Sequence, residues 1–253
     1  MLSCWKRKKD KQRKYSDKKA LMIGLNYPES YYSLKGCVND VTQGSYYFQN
    51  LGYDVELVTD QNFSNGFDII AALRKLGSGR QNKLIFHYSG HGTQVRDLNG
   101  DEIDRLDEAL YLSEGEIITD DQINEVVSKY SSDKKIFMIW DCCHSGTIVD
   151  LPFVYTETGG VRREPRAKSI DAKIIAISGC QDPETSADVT KFFKSYGALS
   201  NTLYNILKKL NHKCSWKQLY QQLLVEMRHQ GYQQYPVLSA SNPSLFYEQV
   251  DFN

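Results

Sequence analysis

Lys135-Ile136-Phe137-Met138-Ile139-Trp140-Asp141-Cys142-Cys143-His144-Ser145-Gly146 is the stretch on which the fold turns. Its apolar run is entered from a charged loop and left at a small-residue turn, the pattern of a strand buried on both faces whose tip carries polar groups. Open α/β sheets place their chemistry at such tips. A second run, Lys83-Leu84-Ile85-Phe86-His87-Tyr88, ends in the same way at Ser89-Gly90-His91-Gly92-Thr93. If the two strands are neighbours, a thiol and an imidazole meet at one point. Positions 91 and 143 are 143 − 91 = 52 residues apart, a separation that suits a Cys/His pair with the His about 50 residues upstream.

Outward from these strands, the chain alternates strand and helix. Ala20–Leu25 is a continuous apolar strand turned by Asn26-Tyr27-Pro28. Residues 38–51 read as a helix closed at Gly52, Val55–Val58 as a strand, and Phe67–Leu76 as a helix with apolar residues at 69, 70, 73 and 76. Ala109–Leu112 and Glu116–Ile118 read as short strands, and 120–130 as a helix capped by Thr119. Residues 151–171 change character, with Gly159-Gly160, two prolines and the cations Arg162, Arg163, Arg166 and Lys168, and read as an exposed linker. Beyond it come the strand Ala172–Ser178, helices near 198–210 and 215–228, and Tyr235–Ser239 as a short edge strand. This rhythm predicts an α/β fold, a mostly parallel central sheet flanked by helices with right-handed crossovers.

At 253 residues and 41% hydrophobic content, one large domain suffices. Lys+Arg and Asp+Glu are equal at 31 each, which leaves no net field to draw in nucleic acid. The charge is uneven, because residues 1–19 hold nine Lys/Arg against two Asp; a cationic, flexible arm over 1–18 precedes an acidic body. The six cysteines form no CxxC pair and no zinc spacing, and reduced thiols in a cytoplasmic protein fit them better than a disulfide framework. No apolar run reaches a membrane-spanning length, and apart from acylation at Cys4 beside the basic run, membrane association is not expected.

A thiolate attacks a carbonyl once a neighbour lowers its pKa; His91 can take that proton and pass it to the leaving amine, while the backbone N–H groups of Gly92 and Cys143 stand where an oxyanion develops. Pattern and spacing alone leave a second reading open: buried cysteines usually pack, loop histidines are usually surface, and His87, His144, His212 and His229 are rival bases.

The two motifs, Tyr88-Ser89-Gly90-His91-Gly92 and Asp141-Cys142-Cys143-His144-Ser145-Gly146, resemble the signatures of the metacaspases, caspase-like cysteine peptidases. Gly36-Cys37-Val38-Asn39-Asp40 and the block from Ser178 to Asp188 resemble further family blocks in the right order, and the resemblance runs from about residue 19 to the C-terminus. It implies a single caspase-like (caspase/hemoglobinase) peptidase domain over 19–253, with a p20-like part (19–151), the linker (152–171) and a p10-like part (172–253). It implies Cys143 rather than Cys142 as nucleophile, and a type I-like chain without a long prodomain.

For substrate, the resemblance implies an acidic pocket that accepts Arg or Lys at the cleaved bond of a protein or peptide, with Cys37, Asp40, Ser89 and Asp141 at the pocket positions. Asp141 lies two residues before Cys143, so the strand period turns both to one side. A buried guanidinium calls for bidentate, charge-assisted partners, which two carboxylates supply. The linker cations Arg162, Arg163, Arg166 and Lys168 are then candidate self-cleavage sites.

The stretch from Asp97 to Glu108 fails as an EF-hand, since its sixth position is Glu102 rather than Gly. By the resemblance, Asp107, Asp120, Asp121 and Asp150 form instead an activating site for calcium, and the scatter of these ligands along the sequence points to low affinity. Two other readings carry different expectations: a silent caspase-like scaffold, and a thiol redox sensor built on Cys142 and Cys143. A monomer is the default expectation.

Overall fold

The computed structural model describes residues 16–63, 66–97, 105–112, 115–143, 146, 148–165, 167–180, 197–211, 213–232 and 235–253. The main sheet has eight strands, and the long apolar runs form its centre: β1 (Lys18–Gly24), β2 (Asp54–Thr59), β3 (Lys83–Ser89), β7 (Lys135–Asp141), β8 (Phe153–Tyr155), β9 (Val161–Arg163), β10 (Lys173–Cys180) and β11 (Tyr235–Ala240). Their lateral order is β2-β1-β3-β7-β10-β11-β8-β9; the first five run parallel and the last three pair antiparallel. A smaller antiparallel sheet is built from β4 (His91–Arg96), β5 (Leu106–Tyr111) and β6 (Ile117–Thr119).

Helices cover both faces because the strands alternate with a period of two. Leu21, Ile23, Phe86, Met138 and Trp140 face one apolar layer, shared with Leu73 and Leu76 of α3 (Ile69–Ser78) and Ile123 of α4 (Asp120–Val127). Ala20, Met22, Ile85 and Ile139 face the other layer, with Val41 and Phe48 of α1 (Cys37–Asn50), Leu203 of α5 (Ala198–Leu210) and Leu219 of α6 (Trp216–His229). A one-turn helix, α2 (Asp60–Phe63), follows β2. The predicted Thr119 cap is present as a full capping box with Gln122, and Gly52 takes φ +85° just beyond the end of α1.

The connection β1-α1-β2 steps outward in one direction, while β3 lies on the other side of β1, so a crevice opens over the C-terminal ends of β1 and β3. Gly24, Ser89 and Asp141 are aligned there in register. At the opposite ends of the strands, Lys18, Lys83, Lys135 and Lys173 form a lateral row. The C-terminal segment lies against this row: Lys83 Nζ bonds Asp251 at 2.9 Å, Lys18 Nζ donates to the Phe252 carbonyl at 3.0 Å, and Lys173 pairs with Glu248 at 3.7 Å.

Three expectations change. The stretch taken as an exposed linker instead forms the β8–β9 hairpin, because Val154 and Tyr155 find burial against β11, and the Gly-Gly pair, with Gly159 at φ +87°, makes its turn. In consequence β11 is not an edge strand; the edge is β9, short and charged, which blunts further pairing. His91, weighed above as a loop histidine, opens a strand, β4. Residues 1–15 of the basic arm lie outside the described residues, whereas Ser16 already bonds the Gly52 carbonyl and Lys18 begins β1.

Candidate active site

His91 stands just after the break between β3 and β4 at Gly90, where a Cβ would strike the Tyr88 and Tyr27 hydroxyls. Its half-buried ring lies against Tyr27 at a centroid distance of 4.7 Å and edge-on to Tyr32 at 5.6 Å. Its Nε2 is 2.7 Å from the Tyr32 carbonyl. A carbonyl only accepts, so Nε2 carries the hydrogen and the neutral ring keeps its lone pair on Nδ1. Burial lowers the His91 pKa and the Tyr32 carbonyl partly opposes it, which favours the neutral, proton-accepting imidazole. The backbone is pinned as well: the His91 N–H donates to the Tyr27 hydroxyl (2.9 Å), and the Tyr88 hydroxyl donates to the His91 carbonyl (3.1 Å).

Cys143 follows the tip of β7, the strand hydrogen-bonded to β3. The Gly90 N–H donates to the Asp141 carbonyl at 3.3 Å, which ties the histidine turn to the cysteine strand. Two residues further, a Cβ placed on Gly92 would overlap the Cys143 carbonyl oxygen and come within 3.0 Å of its carbonyl carbon. Glycine at 92 is therefore what allows the two backbones to touch. Cys142 joins the apolar layer of Trp140 and Tyr88, while Cys143 belongs to neither layer. Among the rival histidines, His87 is fully buried and bonded on both ring nitrogens, His229 is exposed at the end of α6, and His144 and His212 lie outside the described residues.

Beneath these tips sits a buried acidic pair. Asp40, in the first turn of α1, accepts the Ser89 hydroxyl at 2.9 Å and is 6% exposed. Burial, then the nearby Asp141 carboxylate, push its pKa up to about 8 against the Ser89 hydrogen bond. Asp141 is 2% exposed; burial raises its pKa, opposed by the hydroxyl and N–H of Ser200 in the first turn of α5. Cys37, fully buried, has its thiol pKa raised by burial, with Asp40 and Asp141 adding to the effect. The four pocket residues read from the sequence, Cys37, Asp40, Ser89 and Asp141, are thus coupled neighbours. Gly197, at φ +82°, packs so closely on Asp40 that a Cβ would lie 2.8 Å from its Oδ1.

The carboxylates considered for calcium are less gathered. Asp107 and Asp120 are both buried, and Asp120 accepts the N–H groups of Glu108 (2.8 Å) and Asp121 (2.7 Å). Burial pushes the Asp120 pKa up to about 8, with the Glu108 and Asp107 charges contributing and those two hydrogen bonds opposing. Asp121 is the next residue of α4, and Asp150, at φ +49°, follows Val149, whose carbonyl takes the Asn124 amide at 2.9 Å. All-oxygen donors suit a hard cation. Among the described residues, however, no three His, Cys, Asp or Glu converge into a metal-holding group. Of the candidate self-cleavage positions, Arg162 and Arg163 are exposed in β9, where Arg162 pairs with Glu164 at 2.7 Å; Lys168 is exposed in an irregular segment, and Arg166 lies outside the described residues.

The site also uses residues that sequence reasoning passed over. Tyr27, with φ +51°, holds the base of the histidine turn through its hydroxyl, and its own N–H is fixed by Asp60 at 2.8 Å. Tyr32 supplies the carbonyl for His91, and Ser200 the donors for Asp141. Only the Asn26-Tyr27-Pro28 turn gave any signal of this, as an irregularity at a strand end.

A parallel α/β sheet with an imidazole and a thiol at adjacent tips defines the caspase-like class of cysteine peptidases. A family model described as Caspase domain matches residues 17–247. Metacaspase-1 of Cryptococcus neoformans var. neoformans serotype D is 32% identical, the alignment covering 89% of this chain and 63% of that one; Metacaspase-1 of Pyricularia oryzae is 32% identical over 89% and 72%, respectively. The chain belongs to the metacaspases within the caspase-domain family. It spans 63% of the Cryptococcus relative's length. Among solved structures, a Geobacter sulfurreducens protein superposes with a TM-score of 0.65 at 24% identity (92% of this chain, 97% of that one), and the Drosophila initiator caspase Dronc with 0.55 at 11% (92% and 82%); these two likenesses speak to the fold alone.

Proposed function

We propose that the protein is a cysteine endopeptidase that cleaves peptide bonds after Arg or Lys. The observation that carries this reading is the buried Asp40–Asp141 pair, aligned with the tips of β3 and β7 and held by Ser89 and Ser200 rather than by a cation among the described residues. A substrate guanidinium or ammonium supplies the missing positive charge. With the basic side chain in that pocket, the scissile carbonyl lies over Cys143. Its thiol gives its proton to His91 Nδ1 and attacks the carbonyl carbon, and the N–H groups of Gly92 and Cys143 receive the developing oxyanion. His91 then protonates the leaving amine, and water releases the acyl group from sulfur.

Calcium stimulation belongs to the same proposal. Asp107, Asp120, Asp121 and Asp150 would hold the ion, whose charge would offset that of carboxylates otherwise penalised by burial. Self-cleavage at Arg162, Arg163, Arg166 or Lys168 is also proposed; at Arg162 and Arg163 it requires β9 to detach from β8, since a peptidase takes its substrate as an unpaired extended chain. The covered outer edge of β11 supports a monomer, and the free thiols Cys37 and Cys214 support a reducing cytoplasmic setting. No described helix is long and apolar enough to cross a membrane.

The test is turnover of a fluorogenic peptide with Arg before the reporter, with and without calcium, by wild type and Cys143→Ala. Calcium-dependent cleavage by wild type, reduced about 10,000-fold or more in the variant, is expected. Equal signals from both proteins would remove the peptidase reading in favour of a silent scaffold; equal turnover with and without calcium would remove the calcium role alone.

A further inference from the structure

The polar residues behind Asp141 form a continuous buried chain. Ser200 gives the Asp141 carboxylate its N–H at 2.9 Å and its hydroxyl. The Ser200 Oγ lies 2.9 Å from His87 Nε2, and His87 Nδ1 lies 2.9 Å from the Tyr204 hydroxyl. Ser200, His87 and Tyr204 are all 0% exposed, so no solvent substitutes for any link. Gly44 of α1 is what makes room at the far end, since a Cβ there would strike the Tyr204 hydroxyl and come within 3.3 Å of His87 Nδ1.

An ionised Asp141 fixes the direction of every hydrogen in this chain. A carboxylate only accepts, so the Ser200 hydroxyl donates to it; Ser200 Oγ must then accept from His87 Nε2–H; His87 Nδ1, left with a lone pair, accepts the Tyr204 hydroxyl. All the dipoles point toward Asp141 and reinforce one another. Burial pushes the His87 pKa down to about 3, so the ring contributes as a neutral dipole. Among the described residues, the other titratable groups that interact electrostatically with Asp141 are Asp40 and Cys37 from α1 and Tyr204 from α5. None of these is a cation. The described residues thus stabilise the carboxylate without neutralising it, which suits a cationic ligand as its counter-charge.

We propose that Ser200, backed by His87 and Tyr204, is a specificity-determining positioning residue that keeps Asp141 ionised and aimed at the basic side chain of the substrate. This inference rests on the Arg/Lys reading given above. Removing a donor to the charged form raises the pH at which the carboxylate ionises, so binding of a cation then requires a higher pH.

The experiment measures binding of N-acetyl-argininamide to Cys143→Ala protein across pH, which isolates the pocket from the catalytic dyad, alongside peptide kinetics in otherwise wild-type protein. With Ser200→Ala, KM for the Arg peptide should rise about tenfold with kcat changed by less than about twofold, and the acid limb of argininamide binding should move up by about one pH unit. Tyr204→Phe should shift the limb in the same direction by less. A fall in kcat and thermal stability with an unmoved limb in Ser200→Ala would assign the chain a purely structural role and overturn the inference. If Ser200→Ala does not fold, the limb of Tyr204→Phe decides, and an unmoved limb overturns it equally. Asp141→Asn is the control on the underlying reading: undiminished argininamide binding there removes the acidic pocket itself, whereas lost binding with an unmoved Ser200→Ala limb removes only the role of the chain.

Discussion

The two ends of the parallel strands handle charge in opposite ways. At the end where the strands begin, the row Lys18, Lys83, Lys135 and Lys173 meets the segment from Glu248 to Asn253, and opposite charges pair near the surface. At the end where they finish, two carboxylates are buried side by side with only hydroxyl and amide donors among the described residues. The first arrangement contributes to stability and is modest because it is solvated. The second costs stability, because burial and mutual repulsion penalise the carboxylates and no described cation offsets them. A sheet rigid enough to tolerate the second is what the packed layers on both faces supply.

The sharpest way to disturb the finishing end alone is Gly92→Ala, which drives a methyl group into the Cys143 carbonyl and pushes His91 away from the thiol. Turnover should fall about 100-fold, as expected for a displacement near 1 Å at a reacting centre, with KM little changed. Unchanged kcat would mean that the two tips do not work together.

Asp40→Asn tests whether that end is costly. Its carboxyl pKa, about 8 when folded, exceeds the value of an unfolded Asp, so the folded state holds a proton that the unfolded state loses between about pH 4 and pH 8. Wild-type stability from this group therefore declines as pH rises through that window. The neutral variant escapes the decline: its Tm should exceed wild type by about 3 °C at pH 8 and by little at pH 5, while kcat/KM for an Arg peptide drops about tenfold. A lower Tm than wild type at pH 8 would contradict the cost assigned to this end.

Lys83→Ala probes the starting end, and its effect is the smallest. Lys83 holds the Asp251 pKa below the ordinary carboxylate range. The stabilisation is therefore present above the unfolded carboxylate pKa and is lost as pH falls through the lower folded value. Asp251 is half exposed, so a Tm decrease of about 2 °C at neutral pH is expected, smaller still in high salt, with peptidase turnover unaltered. A change in turnover would show that the two ends are coupled.

Sequence patterns reveal these ends unequally. The strands of the parallel half are legible because Ala20–Ile23, Leu84–Tyr88 and Ile136–Trp140 must be apolar to lie between two helical layers, and that requirement leaves continuous runs. The β8–β9 hairpin hides, because a three-residue strand with Gly-Gly and two arginines has the composition of a loop; only its pairing with β11 makes it a strand. Asp141 is legible because it shares a strand face with the expected nucleophile. Ser200 is not, because a serine in a helix becomes significant only when its first-turn N–H and hydroxyl meet a carboxylate 59 residues away. The tyrosine support of His91 was obscured for the same reason, since the Tyr27 and Tyr32 contacts are set by a turn rather than by a repeating pattern.

The most direct test of the central claim compares kcat/KM for two peptides that differ only at the residue before the scissile bond, Arg in one and citrulline in the other. The side chains have nearly the same shape, and only Arg carries charge. A buried Asp40–Asp141 pair that awaits the substrate's cation predicts preference for Arg by about 100-fold or more, collapsing toward unity in Asp141→Asn. Comparable turnover of both peptides by wild-type protein would contradict it.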